Sequence, residues 1–246
     1  MRNSERQRGL LARMVVTSAH WHAYTTRLVL VPSCCGGSFC RELMVVGRAP
    51  NGWDWDEGFL HADVADMDNA LSYVDKSIAY MTSVEDPLGW IDEQAGASDG
   101  YNTNRSAFWR VSRGVLEGLC GATPDGRRWS SRLVWSNLYK IAPAHGGNPS
   151  NSLADKQEGL ATELLQQELA DYRPKAILFL TGRDWADAFL RTLPGCRVTD
   201  GTEPTEGAGT ISVDGETVPF VICPHPQGKS EEPLVTAAVA ALREAA

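Results

Sequence analysis

Short apolar runs of strand length alternate with segments of helical character, and this alternation constrains the fold more than any other feature. Apolar, β-rich runs predict strands at 27–32, 42–47, 133–139, 176–180, 211–213 and 218–223. Apolar spacing and helix-start signals predict helices at 67–82, 101–119, 153–171, 184–190 and 233–243. Because alternating strands and helices are typical of α/β proteins, we expect a three-layer α/β/α sandwich around a mostly parallel central sheet.

The length of 246 residues suits one domain with an extension. Residues 1–24 are rich in arginine and prone to form a helix, and we interpret them as an N-terminal arm or surface helix, although a transit peptide would look partly similar. Residues 25–246 are expected to form a single domain. No apolar run approaches the roughly 18 residues of a membrane span, and the charged segment 1–13 does not resemble a secretory signal. These features predict a soluble, cytoplasmic protein that does not engage a membrane.

Six cysteines are distributed over a chain that is large enough to fold without disulfides. Cys34, Cys35 and Cys40 are clustered, and the other three lie far apart. The chain contains no C-x-x-C pair, and two adjacent cysteines are poorly placed to bind one ion. We therefore expect reduced thiols and no metal, with metal binding as the alternative interpretation.

The net charge of −8 conceals an uneven distribution. Residues 1–50 and 101–150 each hold seven basic and two acidic side chains, whereas 51–100 hold one basic and twelve acidic. An acidic total argues against a generic polyanion binder, because nonspecific affinity for nucleic acid depends on phosphate neutralisation. The pattern still permits a local basic face, so a nucleic-acid partner is neither required nor excluded.

Three loops that follow predicted strands are the natural place for a ligand, because open α/β sheets bind ligands beyond the carboxyl ends of their strands. These loops span 47–56, 137–151 and 224–230. We expect them to meet in one cleft.

Motifs in these loops resemble, in order, those of the uracil-DNA glycosylase superfamily. The sequence G-R-A-P at 47–50 resembles the first motif, G-E-A-P-G in family 4, and S-N-L-Y-K at 136–140 resembles the second, N-x-x-K. The segment 173–182 resembles the strand and glycine between the second and third motifs, and C-P-H-P at 223–226 resembles the H-P-S motif. The resemblance extends from residue 44 to the end of the chain. It implies the glycosylase fold and excision of a base that has been flipped out of DNA.

The resemblance assigns roles to two polar residues and a base pocket to the first motif. His225 would donate a hydrogen bond to the pyrimidine O2, where negative charge develops as the base departs. Asn137 would read the Watson–Crick edge, since an amide both donates and accepts. Gly47, Ala49 and Pro50 would line the base pocket. The alternatives are a hydrogen-bonded loop histidine and a turn-forming asparagine.

The first motif departs from the family at the position that orients water. Arg48 and Ala49 stand where the families carry Glu, Asp or Asn. A nearby polar side chain, from Asn51, Asp54 or Asp56, could orient the water instead, and Asp54 is the preferred candidate. Stabilisation of the leaving group could also suffice, or the protein could bind DNA without cutting it.

The iron–sulfur cluster of families 4 and 5 is not expected in this chain. Ile141 replaces the cysteine that follows the second-motif lysine in family 4, and the N-terminal cysteines lack the usual spacing. We predict no cofactor. Lys140 itself could serve the base-reading loop, contact a phosphate, or be a solvated surface lysine.

Two tryptophans just beyond the first motif suggest an enlarged substrate. Trp53 and Trp55 alternate with acidic residues in the sequence W-D-W-D. Indole rings stack on bases and also pack on pyranose rings, while carboxylates accept hydrogen bonds from sugar hydroxyls. A hypermodified or glucosylated cytosine, as in some phage DNA, is one interpretation. The other is that one tryptophan stacks on plain uracil while its neighbour packs in the core.

Basic side chains supply the expected contacts to DNA, and they are Arg48, Arg127, Arg128, Lys140 and Lys229. The block 105–140 also interleaves arginines with aromatic residues, which is typical of a strand-tracking face with stacking platforms. Ordinary helix packing beside a solvated arginine loop is the alternative. We expect a monomer with DNA as its partner and no obligatory protein partner.

Together these features predict a monofunctional DNA glycosylase that acts on a modified pyrimidine and leaves an abasic site. Genome repair of uracil and defence against phage DNA both follow from this chemistry. A noncatalytic nucleic-acid-binding member of the superfamily is the alternative from another class. An unrelated α/β hydrolase has no supporting motif, because the chain contains no G-x-S-x-G, Walker or H-E-x-x-H sequence.

Overall fold

The computed structural model describes residues 4–21, 26–51, 58–124 and 126–245. Within these ranges the helices are α1 (Glu5–Trp21), α2 (Met67–Thr82), α3 (Trp90–Glu93), α4 (Ala107–Cys120), α5 (Asn151–Tyr172), α6 (Arg183–Leu190) and α7 (Glu231–Glu244). The strands are β1 (Leu28–Leu30), β2 (Cys34–Cys35), β3 (Leu43–Gly47), β4 (Leu133–Asn137), β5 (Ile141–Pro143), β6 (Ile177–Phe179), β7 (Arg197–Asp200), β8 (Gly207–Val213) and β9 (Glu216–Ile222).

The chain divides into two units, each made of three segments. The first unit contains Met1–Ser33, Arg48–Val84 and Asn137–Asp171. The second unit contains Cys34–Gly47, Glu85–Ser136 and Tyr172–Ala246.

A seven-stranded sheet forms the centre of the second unit, in the order β2-β4-β3-β6-β9-β8-β7. The central strand β6 pairs in parallel with both β3 and β9, so that Val46, Phe179 and Ile222 stand in one row across the sheet. β3 and β6 are short, apolar and buried, and the last five residues of β9 are buried as well, as expected of parallel strands at the middle of a sheet. Their carboxyl ends therefore share one edge, from which the loops after β3, β6 and β9 depart.

Antiparallel pairs lie toward both ends of the sheet. β8 joins β9 in a hairpin whose turn places Asp214 and Gly215 at positive φ, 49° and 84°. That conformation favours Asp-Gly and explains why this dipeptide predicted the hairpin. β7 pairs antiparallel with β8, and β2 with β4. The α/β class is confirmed, while the sheet is mixed where the sequence led us to expect a mostly parallel one.

Helices α4 and α7 of the second unit pack closely because α4 carries glycines at its contact face. A Cβ at Gly114 would lie 2.9 Å from a Val235 methyl, and one at Gly118 would lie 2.6 Å from a Val239 methyl. The two glycines and the two valines each stand four residues apart, so they follow the same helical stripe. This packing fixes α7, which begins just after the loop that carries His225.

The first unit is built from α1, α2, most of α5 and a two-stranded antiparallel sheet of β1 and β5. Helix α1, which we expected as an arm or a surface helix, packs against α2 and buries its apolar face, with Leu11, Met14 and Val15 fully inaccessible. Residues 5–21 are therefore part of a packed core. None of the helices in the described ranges is both long enough and apolar enough to cross a membrane.

Candidate functional site

The residues predicted for the site divide between the two units. The second unit holds Gly47, Arg127, Arg128, His225 and Lys229, and the first holds Arg48, Ala49, Pro50, Asn51, Asn137 and Lys140. Trp53, Asp54, Trp55 and Asp56 lie outside the described residues. The meeting of the three loops in one cleft stays a prediction.

The His225 loop of the second unit is joined to the neighbouring strand end by two backbone hydrogen bonds. Cys223 N–H donates to the Phe179 carbonyl at 2.8 Å, and Gly182 N–H donates to the Cys223 carbonyl at 2.9 Å. Prolines on both sides of His225 further restrict its backbone. The imidazole is thus presented, half-buried, from a fixed segment at the carboxyl edge of the parallel strands.

A long local contact involves one ring nitrogen of His225. The backbone N–H of Gln227 points to Nδ1 of His225 at 3.4 Å. This contact suits the neutral tautomer that holds its proton on Nε2. In that tautomer Nε2 donates hydrogen bonds, as the stabilisation of a developing oxyanion requires.

Gly47 and Thr181 complete this edge of the second unit. Gly47 is buried at the end of β3, in the strand order directly beside β6. Thr181 follows β6, is fully buried, and donates its hydroxyl to the Gly182 carbonyl at 3.0 Å. Sequence reasoning did not single out Thr181, although a threonine before the glycine that ends a strand is a visible signal.

The buried cysteines do not provide a nucleophile at neutral pH. Burial raises the pKa of the Cys223 thiol to about 12 and that of Cys35 to about 11. Burial also raises the pKa of Cys34, far above its usual range. Only the thiolate is reactive, so these three side chains act as small apolar groups.

Asn137, in the first unit, lies at the start of a tightly held segment. Its side chain is almost completely buried, with 4 % of the residue surface exposed. The ammonium of Lys140 donates a hydrogen bond to the Asn137 carbonyl oxygen, and Tyr139 N–H donates to the Arg48 carbonyl at 3.0 Å. The first-motif and second-motif segments are therefore in direct backbone contact within this unit.

Lys140 does not have the surroundings of a phosphate ligand. Its side chain is fully buried, and Nζ lies 3.0 Å from a carboxylate oxygen of Glu168 on α5. Burial lowers the pKa of Lys140, while the attraction of Glu168 opposes that shift. The prediction that Lys140 contacts a DNA phosphate is wrong, because its ammonium is inaccessible and is already paired with Glu168.

Asn51 contacts another loop of the first unit. Its Oδ1 accepts a hydrogen bond from Gly147 N–H at 2.7 Å, and the residue is exposed. Asn51 was one of the residues predicted to orient the attacking water. In the structure its amide oxygen joins the segment after β3 to the loop after β5.

Exposure and ion pairing distinguish the basic residues of the second unit that were predicted to contact DNA. Arg127 and Lys229 are exposed in loops. Arg128 is also exposed, but its guanidinium lies 2.6 Å from Glu93 and 3.8 Å from Asp86. Arg127 and Lys229 are therefore the better placed of these cations to meet a phosphate, whereas Arg128 must exchange carboxylate partners to do so.

The aromatic residues of the 105–140 block pack mainly in the core of the second unit. Trp109, Trp129 and Trp135 are each no more than 6 % exposed. The ring of Trp109 lies 5.5 Å from that of Trp135 and 6.4 Å from that of Trp129. This agrees with the packing alternative and argues against stacking platforms made by these three rings.

Two buried polar residues of α5 were missed at the sequence level. Glu168 pairs with Lys140, and the side-chain amide of Gln157 bonds to both the N–H and the carbonyl of Ile141, each at 2.9 Å. Both residues fall on the stripe of α5 that also carries Leu164. A polar residue on an apolar stripe is the signal that could have found them.

Nothing in the described ranges brings three His, Cys, Asp or Glu side chains together in a set that could hold a metal ion. No protein-family model matches the chain, and no curated protein matches it either.

Proposed function

We propose that this protein is a monofunctional DNA glycosylase that hydrolyses the N-glycosidic bond of a flipped, modified pyrimidine. The observation that carries the proposal is the placement of His225 on a backbone held at the carboxyl edge of the parallel strands, where the contact of Gln227 N–H with Nδ1 suits a proton on Nε2. The order of the three loop motifs supports the same conclusion. The uracil-DNA glycosylase fold is part of this proposal.

In this mechanism His225 stabilises the leaving group. As the C1′–N1 bond breaks, its electron pair moves onto the base and negative charge accumulates at O2. The Nε2–H of His225 donates to that oxygen more strongly in the transition state than in the ground state, which accelerates the step. Water then bonds to C1′ and gives up a proton, for which the carboxylate of Asp54 is the proposed acceptor.

Asn137 is the proposed reader of the base edge. Its amide can present an oxygen and an N–H₂ group, and so can match either uracil or cytosine according to its orientation. Its carbonyl is held by Lys140, which gives the residue a fixed backbone. Lys140 is the lysine that a lyase mechanism would recruit, and its burial against Glu168 supports hydrolysis by water instead.

The substrate class follows from Trp53 and Trp55. Two indoles with adjacent carboxylates suit a pyrimidine that carries a sugar, so we propose a glucosylated or otherwise hypermodified cytosine. Excision of such a base would leave abasic sites in modified phage DNA and so act in antiviral defence. Excision of uracil, the second candidate, would serve base-excision repair.

An abasic-site assay tests the proposal. The protein is incubated with glucosyl-hydroxymethylcytosine DNA, uracil-containing oligonucleotides and ordinary DNA, and the products are treated with alkali. His225→Ala should abolish the breaks. The matched control is His20→Ala, which removes an exposed histidine of α1, outside the three loops, and should leave the breaks unchanged.

Each outcome separates the candidates. Breaks that depend on His225 and occur only in glucosylated DNA support the enlarged substrate and the defence role. Breaks at uracil instead support the repair enzyme. DNA binding on a gel without breaks in any substrate overturns the glycosylase proposal in favour of a noncatalytic binding protein.

A further inference from the structure

A buried ion pair lies beside Asn137 in the first unit. The side chains of Lys140 and Glu168 are buried, with exposed fractions of 0 % and 1 %. Nζ of Lys140 lies 3.0 Å from Oε1 and 3.1 Å from Oε2 of Glu168. The same ammonium donates to the Asn137 carbonyl oxygen.

Stability alone is a weak reason for a pair of this kind. Removal of two charges from water is costly, and well-packed apolar residues of similar volume are often as stable or more stable. What an apolar pair cannot supply is the hydrogen bond to Asn137. An ammonium has three N–H donors, enough to donate to Oε2 of Glu168 and still hold the backbone carbonyl.

The hydrogen bond from Lys140 closes a four-residue segment, 137–140, in which two further backbone groups have described hydrogen-bond partners. Tyr139 N–H donates to Arg48, and the Lys140 carbonyl accepts from Val31 N–H, at 3.0 Å and 2.9 Å. Gln157 then binds both backbone groups of Ile141. Anchoring of the Asn137 carbonyl fixes the direction of its peptide plane, and this in turn limits the direction in which the Asn137 side chain leaves the backbone.

We propose that Lys140 and Glu168 are positioning residues that orient Asn137 for recognition of the flipped base. The catalytic part of this inference rests on the proposed function. Neither side chain touches the base, and both act through the carbonyl of Asn137. Misplacement of a recognition group by about 1 Å can lower a rate by about 100-fold, so the effect should appear in kcat.

The test uses the double variant Lys140→Met/Glu168→Leu, which removes both charges together. A single substitution would leave an unpaired buried charge and could prevent folding. The variant should fold, and its kcat should fall by about 10- to 100-fold with little change in KM. The control Arg8→Ala/Asp75→Ala removes an ion pair between α1 and α2 of the same unit, 2.5 Å in length, and should leave kcat unchanged.

A second variant separates positioning from charge. Lys140→Gln/Glu168→Gln also removes both charges together, but the amide introduced at position 140 keeps an N–H donor for the Asn137 carbonyl. We expect this variant to retain more kcat than Lys140→Met/Glu168→Leu. Equal losses in the two variants would overturn the proposal, because they would tie the effect to the lost charges and not to the hydrogen bond.

A third readout does not depend on catalysis. Backbone hydrogen exchange at Leu138 and Tyr139 should be faster in the double variant Lys140→Met/Glu168→Leu than in the wild type, by at least tenfold, if Lys140 holds this segment. Unchanged exchange overturns the positioning role even if the wild type proves inactive on every substrate. Faster exchange with unchanged kcat overturns it as well, because the orientation of Asn137 would then not matter to the reaction. If the wild type is inactive and the double variant exchanges faster, the proposed function is contradicted. The role of the ion pair in holding the 137–140 segment is then still supported.

Discussion

Oδ1 of Asn51 accepts a hydrogen bond from the backbone N–H of Gly147 at 2.7 Å, and this bond joins two loops of the first unit. Gly147 has a φ of 91°, a conformation that L side chains rarely adopt. The loop that follows β5 is therefore shaped to present its N–H to Asn51. Since Asn51 is exposed, we assign this bond a modest contribution, about 1 kcal/mol.

This contact predicts different outcomes for two substitutions of Asn51. Asn51→Asp keeps an oxygen acceptor for Gly147, so the proposed glycosylase activity should stay within about threefold of the wild type. Asn51→Ala removes the acceptor and should lower kcat by about fivefold, the equivalent of roughly 1 kcal/mol. Steady-state kinetics on the substrate identified by the abasic-site assay measures both. Full activity of Asn51→Ala would show that the loop contact has no bearing on catalysis.

The packing of α4 on α7 predicts a destabilising effect of a single methyl group. Gly118→Ala would place a Cβ 2.6 Å from a Val239 methyl, and overpacking of this kind costs about 1–3 kcal/mol. Gly159 in α5 has no atom within 4 Å of the corresponding position. Gly159→Ala should therefore stabilise the protein, by up to about 1 kcal/mol, because alanine is the better helix former.

Thermal or urea unfolding of both variants measures the difference in the free energy of unfolding. The double variant Gly118→Ala/Val239→Ala should recover part of the loss, because the shortened side chain makes room for the new methyl group. Shifts of the same sign in Gly118→Ala and Gly159→Ala would contradict the close packing of the two helices.

The buried thiols predict a loss of stability at alkaline pH. The pKa of Cys223 is raised from 9.0 to about 12, so its thiol stays protonated in the folded chain while the unfolded chain ionises. The folded state then binds more protons, and its stability, complete below pH 9, falls as the pH rises toward 12. One such group contributes a slope of about 1.4 kcal/mol per pH unit.

Cys223→Ala should reduce this slope, whatever its effect on stability at neutral pH. The measurement is the free energy of unfolding at several pH values between 9 and 11. Cys40→Ala, which removes an exposed thiol, should leave the slope as it is. An equal slope in Cys223→Ala and the wild type would contradict the raised pKa of Cys223.

Local signals predicted most of the secondary structure. The helix expected at 67–82 is observed as Met67–Thr82, because its apolar spacing is regular and Asp66 caps it by accepting from Asn69 N–H. The strands β2, β5 and β7 were not predicted. β2 and β5 have two and three residues, and β7 is largely exposed, so none of them shows a run of apolar residues that could be recognised.

The environment of the site residues was harder to predict than the elements that carry them. The strand that carries Asn137 was predicted over 133–139, whereas β4 ends at Asn137 itself. The burial of Lys140 does not follow from the strand pattern, because it depends on Glu168, a partner 28 residues away on α5. The sequence also could not show that Trp109 and Trp135 would pack against each other, since that contact is made between a helix and a strand.

The ion pair between Arg110 and Glu231 predicts an acid-sensitive contribution to the stability of the second unit. The guanidinium binds the carboxylate in a two-point contact, with Nε to Oε2 at 2.8 Å and Nη2 to Oε1 at 2.5 Å. The hydrogen bond from Arg110 lowers the pKa of Glu231 below its ordinary 4.5, against a smaller opposing effect of burial. The contribution of the pair is therefore complete above pH 4.5 and is lost as the pH falls through the lowered pKa.

Glu231→Gln should lower the free energy of unfolding at pH 7 by about 0.5 kcal/mol, a small value because the Arg110 side chain is 42 % exposed and water screens the pair. The difference from the wild type should shrink as the pH falls below 4.5 through the lowered pKa, and it should vanish once Glu231 is protonated in the folded protein. Glu232→Gln is the matched control, since it removes a charge from the same first turn of α7. At pH 7, Glu231→Gln should lower the free energy of unfolding more than Glu232→Gln does. Equal losses in the two variants would show that the negative charge acts on the helix terminus and not through Arg110.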